Sequence, residues 1–225
     1  MILCGGDSFS EFNTPLGNGE YTHGLSAVEL LIEKFNTTGT STAWPGASID
    51  ATVAKTVNYI INNNSVRFLF FYLTANVRIM YSTKTTHDYN FADCGYDDPN
   101  FFNDQEIFNV HSNDGKGHTP DAMQYFLHQP TYKKYLDRYA YLNFLTNVCG
   151  NRGINILYIT TTQDKFDERM LLNNADHVRF IDIDTPTSWD LSTRLCNHLF
   201  PHEQKAFSEK ILNNYESFIL DSLQK

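Results

Sequence analysis

Two spacings of apolar residues alternate along the chain. VRFLFFYL, residues 66–73, is a nearly continuous apolar run of strand length, the pattern of a parallel strand covered on both faces. Ile2 to Cys4, INILYI (154–159) and VRFIDI (178–183) repeat it and predict three more strands. Between these runs the spacing lengthens to that of a helix. Val28, Leu31, Ile32 and Phe35 recur at helical steps behind Ser26 and Glu29, which have capping-box spacing. Val53, Val57, Ile60 and Ile61 mark one face of a second helix, which NNNS ends, and TGTSTAWPGAS before it reads as a loop around at most a very short strand. Leu136, Tyr139, Leu142 and Leu145 predict a third helix within 132–149, and Phe207, Ile211, Tyr215, Phe218 and Ile219 a closing amphipathic one.

Strands that alternate with helices imply an α/β fold of three layers, α/β/α, around a mostly parallel five-stranded sheet. In such a sheet ligands sit beyond the carboxyl ends of the strands, so the loops that follow strands matter most. With 225 residues the chain is expected to form a single domain, 1–225, with an irregular insertion at about 81–129 that is rich in Asp, Asn, His and aromatic residues and covers the same sheet edge.

Composition narrows the chemistry. A formal charge of -9 and a pI near 5.2 argue against a nucleic-acid partner, which needs clustered Lys and Arg to neutralise phosphates. A neutral or sugar-like substrate fits better. The four cysteines are scattered with no Cys-x-x-Cys pair, so neither a zinc site nor a disulfide framework is signalled. No run is long enough to span a bilayer and the N-terminus lacks a basic-then-apolar leader, so the expectation is a soluble chain with no membrane partner, cytoplasmic by default.

The chemistry-bearing segments follow from the strand assignments. GGDSFS (5–10) follows the first strand, PGAS (45–48) lies in the second loop, LTANVR (73–78) follows the central strand, and NHLFPHEQKAF (197–207) leads into the last helix. A serine hydroxyl is a poor nucleophile at neutral pH. It needs a base within hydrogen-bond reach, and the oxyanion that develops needs preorganised donors. Ser8, at a strand end, can present both its hydroxyl and its N–H to a crevice. Gly46, lacking a side chain, lets substrate approach a second N–H, and Asn76 could supply an amide. His198, with an ordinary pKa of roughly 6.5, suits proton transfer near neutrality.

In this order the four segments resemble the SGNH, or GDSL-like, hydrolase family, and the resemblance spans nearly the whole chain. It implies a flavodoxin-like SGNH hydrolase fold and a carboxylic ester hydrolase. Ser8 would be the nucleophile, His198 the general base, and Ser8, Gly46 and Asn76 the oxyanion hole, with no cofactor. A small acyl ester, such as an acetyl group on a carbohydrate, is the substrate class it implies. TANVR and NHL are similar to stretches of SGNH-like proteins encoded in phage genomes, which implies surface glycans as targets.

The chain departs from the family pattern at three places. Leu195 stands where an Asp three residues before the histidine is expected, Val77 where Asp is frequent, and Thr74 where Gly is usual. Asp190, the nearest upstream carboxylate, could orient His198 if the loop folds back; a backbone carbonyl could do so instead, making a Ser-His dyad. The missing acid also leaves open a non-catalytic glycan-binding or structural module. A flavodoxin-like nucleotide binder would share the sheet, but a Gly-rich phosphate loop leading into a helix is missing from the sequence.

Other side chains have plainer readings. His87, His111 and His118 lie in the insertion with Asp88, Asp93, Asp97 and Asp98, but without ligand spacing, so no metal is expected. Tyr89, Phe91, Tyr96, Phe101 and Phe102 suit sugar rings or packing of the insertion equally well. Cys196, near His198, is read as structural.

Overall fold

A computed structural model describes residues 1–6, 12, 25–43, 49–73, 78–82, 107–111, 131–161, 172, 175–183, 199 and 201–225. Five strands form one parallel sheet: β1 (Ile2–Gly5), β2 (Gly39–Ser41), β3 (Phe68–Tyr72), β6 (Asn155–Thr161) and β7 (Val178–Ile183), in the order β2-β1-β3-β6-β7. The remaining strands, β4 (Arg78–Ser82) and β5 (Ile107–His111), pair antiparallel as a separate ribbon. The described helices are α1 (Ala27–Lys34), α2 (Ile49–Asn62), α3 (Thr131–Asn151) and α4 (Pro201–Leu223).

The period of two along each strand divides the core between two faces. Leu69, Phe71 and Leu73 of the central run point with Leu3, Ile156, Tyr158, Val178 and Phe180 toward α2 and α3. Phe68, Phe70 and Tyr72 point with Ile2, Cys4, Leu157, Ile159, Ile181 and Ile183 toward α1 and α4. All five residues of β3 are buried, as expected of a strand with helices on both sides. The three layers and the strand order are those of a flavodoxin-like α/β fold.

Local chemistry sets the helix limits. At α1 the Ser26 hydroxyl accepts from the Glu29 N–H at 3.3 Å while the Glu29 carboxylate accepts from the Ser26 N–H at 2.8 Å, the capping box that the spacing predicts. At the far end of α2 the Arg152 guanidinium donates to the Ile60 carbonyl at 3.1 Å and the Ile61 carbonyl at 3.2 Å. It thus satisfies acceptors that a helix C-terminus leaves open. That contact fastens α2 to the turn between α3 and β6.

The outer edge of β7 is also occupied. Tyr215 Oη donates to the Phe180 carbonyl at 2.7 Å and Lys210 Nζ to the Asp182 carbonyl at 2.9 Å, so α4 covers carbonyls that a sixth strand would otherwise find.

Three sequence expectations need correction. Ile61 is 51% exposed and Leu136 is 59% exposed, although both were expected on buried helix faces. The segment 81–129 is not irregular throughout, because residues 107–111 form β5.

Candidate active site

Each described helix runs back against the strands. The end of α2 leads into β3, the end of α3 turns directly into β6, α1 ends just before β2, and Ser222 near the end of α4 donates from Oγ to the Arg67 carbonyl at the start of β3. Their N-termini therefore gather at the carboxyl edge of the sheet. There the N-terminal amides, with their partial positive charge, favour an anion.

The strand order creates a crevice at this edge. From β1 the chain crosses to β2 on one side, whereas from β3 it goes on to β6 on the other, so the connections diverge between β1 and β3. The two strands end side by side. Gly6 has φ +127, and a Cβ built on it would overlap the Tyr72 carbonyl oxygen and lie 2.8 Å from the Tyr72 Cβ. Only glycine tolerates both the backbone angle and the contact. The second glycine of the opening run therefore lets the chain leave β1 hard against the end of β3.

A buried polar knot supports that exit. Thr42, just past β2, donates its N–H to the Cys4 carbonyl at 2.8 Å, and its hydroxyl lies 3.3 Å from the same oxygen and 3.0 Å from the Thr56 hydroxyl of α2. Thr42 and Thr56 are both buried. A Cβ at Gly5 would come within 2.6 Å of Thr56 Oγ1, so the first glycine makes room for the knot. On the other side, Leu73 donates its N–H to the Ile159 carbonyl at 2.9 Å and carries the ladder one residue beyond β3. Farther along, Thr160 Oγ1 donates to the carboxylate of Asp182, a partly buried acid at the end of β7.

Ser8, Gly46, Asn76, Asp190 and His198 all lie outside the described residues. Some of their described neighbours in sequence, Gly6 and Leu73, lie at strand ends of this edge. Gly6 precedes Ser8 by two positions and Phe12 follows it by four; Ala43 and Ile49 flank Gly46; Leu73 and Arg78 flank Asn76; Leu199 follows His198. Phe12 and Leu199 pack into the same apolar cluster, beneath α1 and α4. The aromatic and acidic residues singled out in 81–129, with His87 and His118, also lie outside the described residues; the backbone of His111 belongs to β5.

Among the described thiols, Cys4, one residue before the end of β1, is not a rival nucleophile. Burial, and then the Glu29 carboxylate, hold Cys4 well above the usual thiol range, so it stays a neutral core residue. A recess of about 250 Å³ lined by Asn63, Asn64, Val66, Arg152 and Ile154 opens at the opposite edge of the sheet, where the Arg152 guanidinium is already committed to helix carbonyls. Among the described residues no group of His, Cys, Asp and Glu could hold a metal ion, and no described helix is long and apolar enough to cross a membrane.

One contact at the edge joins its two halves and was not foreseen from the sequence. Gln204, in the first turn of α4, accepts through Oε1 from the Ala27 N–H at 2.9 Å, and both residues are buried. A glutamine at that position carries no local signal, because its partner is 177 residues away. No protein-family model and no curated protein matches the chain.

Proposed function

We propose that the chain is a serine esterase of the SGNH type that removes a small acyl group, such as acetyl, from an alcohol of a carbohydrate. The observation that carries this reading is the convergence of described anchors. Gly6 and Leu73 end the strands beside the crevice, and Phe12 and Leu199, which follow Ser8 and His198 in the sequence, share one apolar cluster. The helix N-termini gathered there suit a developing oxyanion.

In this reading Ser8 Oγ attacks the ester carbonyl as His198 takes the hydroxyl proton. The tetrahedral oxyanion is held by the N–H groups of Ser8 and Gly46 and by the Asn76 amide. The C–O bond to the alcohol breaks as His198 returns the proton to the leaving oxygen. Water then attacks the acyl-serine, again giving its proton to His198, and the free acid departs as Ser8 Oγ regains that proton.

The test is hydrolysis of p-nitrophenyl acetate together with labelling by a fluorophosphonate. Ser8→Ala should abolish both the turnover and the adduct, and His198→Gln should lower turnover by about 10³-fold or more. Full activity in Ser8→Ala would overturn the assignment. Leu195, in the place of the family's acid, favours a second reading as a glycan-binding module; that reading predicts no adduct at Ser8 and retained glycan binding.

A further inference from the structure

We infer that two copies of this chain pair through α3, antiparallel across a two-fold axis beside Ala140. The contact is independent of the esterase reading.

A helix that lies on a sheet turns apolar residues inward and polar or charged ones to water. α4 obeys this on its face of the sheet, where Lys205, Glu209, Asn213, Glu216 and Asp221 are exposed. α3, on the other face, does not. Its inward side is set by the buried Leu142, Leu145 and Cys149, yet Leu136 is 59% exposed, Phe144 53% and Tyr141 38%. Three of the four large apolar side chains exposed among the described residues therefore stand on this one helix. Leu136, Ala140 and Phe144 step by four, so they form one ridge, and it runs along the side of the helix away from Leu145. From Tyr139 to Asn151 the sequence carries no charged residue, so the outer side of these turns lacks the Lys and Glu that keep a surface helix in water.

Charge and symmetry select a second copy as the occupant. With a formal charge of -9, two chains repel wherever acidic surfaces meet. The uncharged turns of α3 let them touch without that cost. Leu136 and Phe144 lie four residues to either side of Ala140, so an antiparallel pair that crosses there sets Leu136 of each copy on Phe144 of the other. Alanine at the crossing lets the two axes approach, and ridges with this spacing interlock at about −50°. Asp137, on the flank of the ridge, then meets Asn143 of the other copy and not a second carboxylate. The exposed parts of Leu136, Tyr141 and Phe144 come to about 300 Å², against about 800 Å² per partner in a tight complex. That patch makes a small apolar centre with Asn143 and Asn147 at its rim, so the dimer is weak and depends on concentration.

Sedimentation of the full chain tests the contact. The mean mass should rise from the 25.9 kDa of one chain toward twice that between about 5 and 500 μM. Leu136→Lys and Phe144→Glu, each alone, should weaken association by about tenfold or more. Their urea midpoints should not fall below that of the parent chain, because both positions face water. Mixed one to one, the two variants should bind each other about tenfold more tightly than either binds itself, since the antiparallel crossing opposes the new lysine to the new glutamate at one end and keeps Phe144 on Leu136 at the other. A parent chain that stays monomeric up to about 500 μM overturns the inference. So does association that neither variant weakens, which would place the contact elsewhere, and so does a mixture that binds no better than its components, which would exclude the antiparallel crossing. If both single variants lower the urea midpoint, the ridge is covered by the chain itself and the inference fails.

Discussion

Gly6 sits so close to Tyr72 that the backbone of β1 could not leave the sheet here with any side chain attached. The residue combines φ +127 with a built Cβ 2.8 Å from the Tyr72 Cβ and in overlap with its carbonyl oxygen. Gly153 offers an internal comparison, since it has φ +67 but nothing within 4 Å of a built Cβ. Gly153→Ala should therefore cost about 1 kcal/mol, the strain of a left-handed residue alone. Gly6→Ala should cost about 2–4 kcal/mol, because steric overlap with backbone adds to the strain. Urea unfolding of the two variants measures the difference, and equal losses would contradict the close approach of β1 and β3.

The hydroxyl knot behind that exit makes a second expectation. Thr56→Val keeps shape and removes the oxygen 3.0 Å from Thr42 Oγ1, inside a region where both threonines are buried. The loss should be about 1 kcal/mol, because Thr42 can still donate to the Cys4 carbonyl at 3.3 Å. Thr42→Val should cost more, about 1–2 kcal/mol, since it leaves Thr56 without that partner and the Cys4 carbonyl with the Thr42 N–H alone. The pair of denaturation midpoints checks the order.

Much of this architecture was legible in the sequence, and the reasons for success and failure are physical. Buried strands announce themselves by continuous apolar runs, and Phe68–Tyr72 is such a run. The capping box at Ser26 and Glu29 is equally local. Leu136 failed for a geometric reason. Residues 136, 139, 142 and 145 step by three, and three residues turn a helix by about 300°, so the series drifts about 60° per step and Leu136 ends on the side opposite Leu145. Ile61 lies on the flank of the face set by Val53, Val57 and Ile60, in the last turn of α2. The ribbon of β4 and β5 was missed because its two strands are joined through a long polar segment and carry little alternation. Of the site, the strand ends beside the crevice were foreseen, whereas the Gln204 contact could not be, since nothing near residue 204 reports on residue 27.

At the edge of the sheet, Tyr215 and Lys210 of α4 cover carbonyls of β7 that face outward. Tyr215→Phe and Lys210→Met remove the two donors while preserving most of the apolar contact. Each should cost about 1 kcal/mol, and the double variant should associate at concentrations where the parent chain does not, because an uncovered edge strand is a template for pairing. Light scattering against concentration reads the effect. If the double variant scatters like the parent chain, these side chains do not guard the edge.

The interior chemistry also sets a limit at high pH. Burial pushes the Cys149 thiol from an ordinary 9.0 to about 12, and burial likewise holds Tyr158 above the usual tyrosine range against the opposing effect of its hydrogen bond to Thr146. Cys4 is raised for the same principal reason. In the unfolded chain these groups release their protons near their ordinary values, while the native chain keeps them. Each raised group leaves stability intact below its unfolded pKa and erodes it as pH climbs toward the folded one, at about 1.4 kcal/mol per pH unit per group. The erosion should begin near pH 9 with the thiols and steepen once tyrosine can ionise in the unfolded state. Urea midpoints between pH 7 and pH 11 should be level at first and then fall, and Cys149→Ala should flatten the fall by about one group's worth while lowering stability at pH 7 modestly. An unchanged slope in that variant would show that the Cys149 thiol ionises freely in the native chain, and a thiol reagent that modifies Cys149 without denaturant would report the same exposure directly.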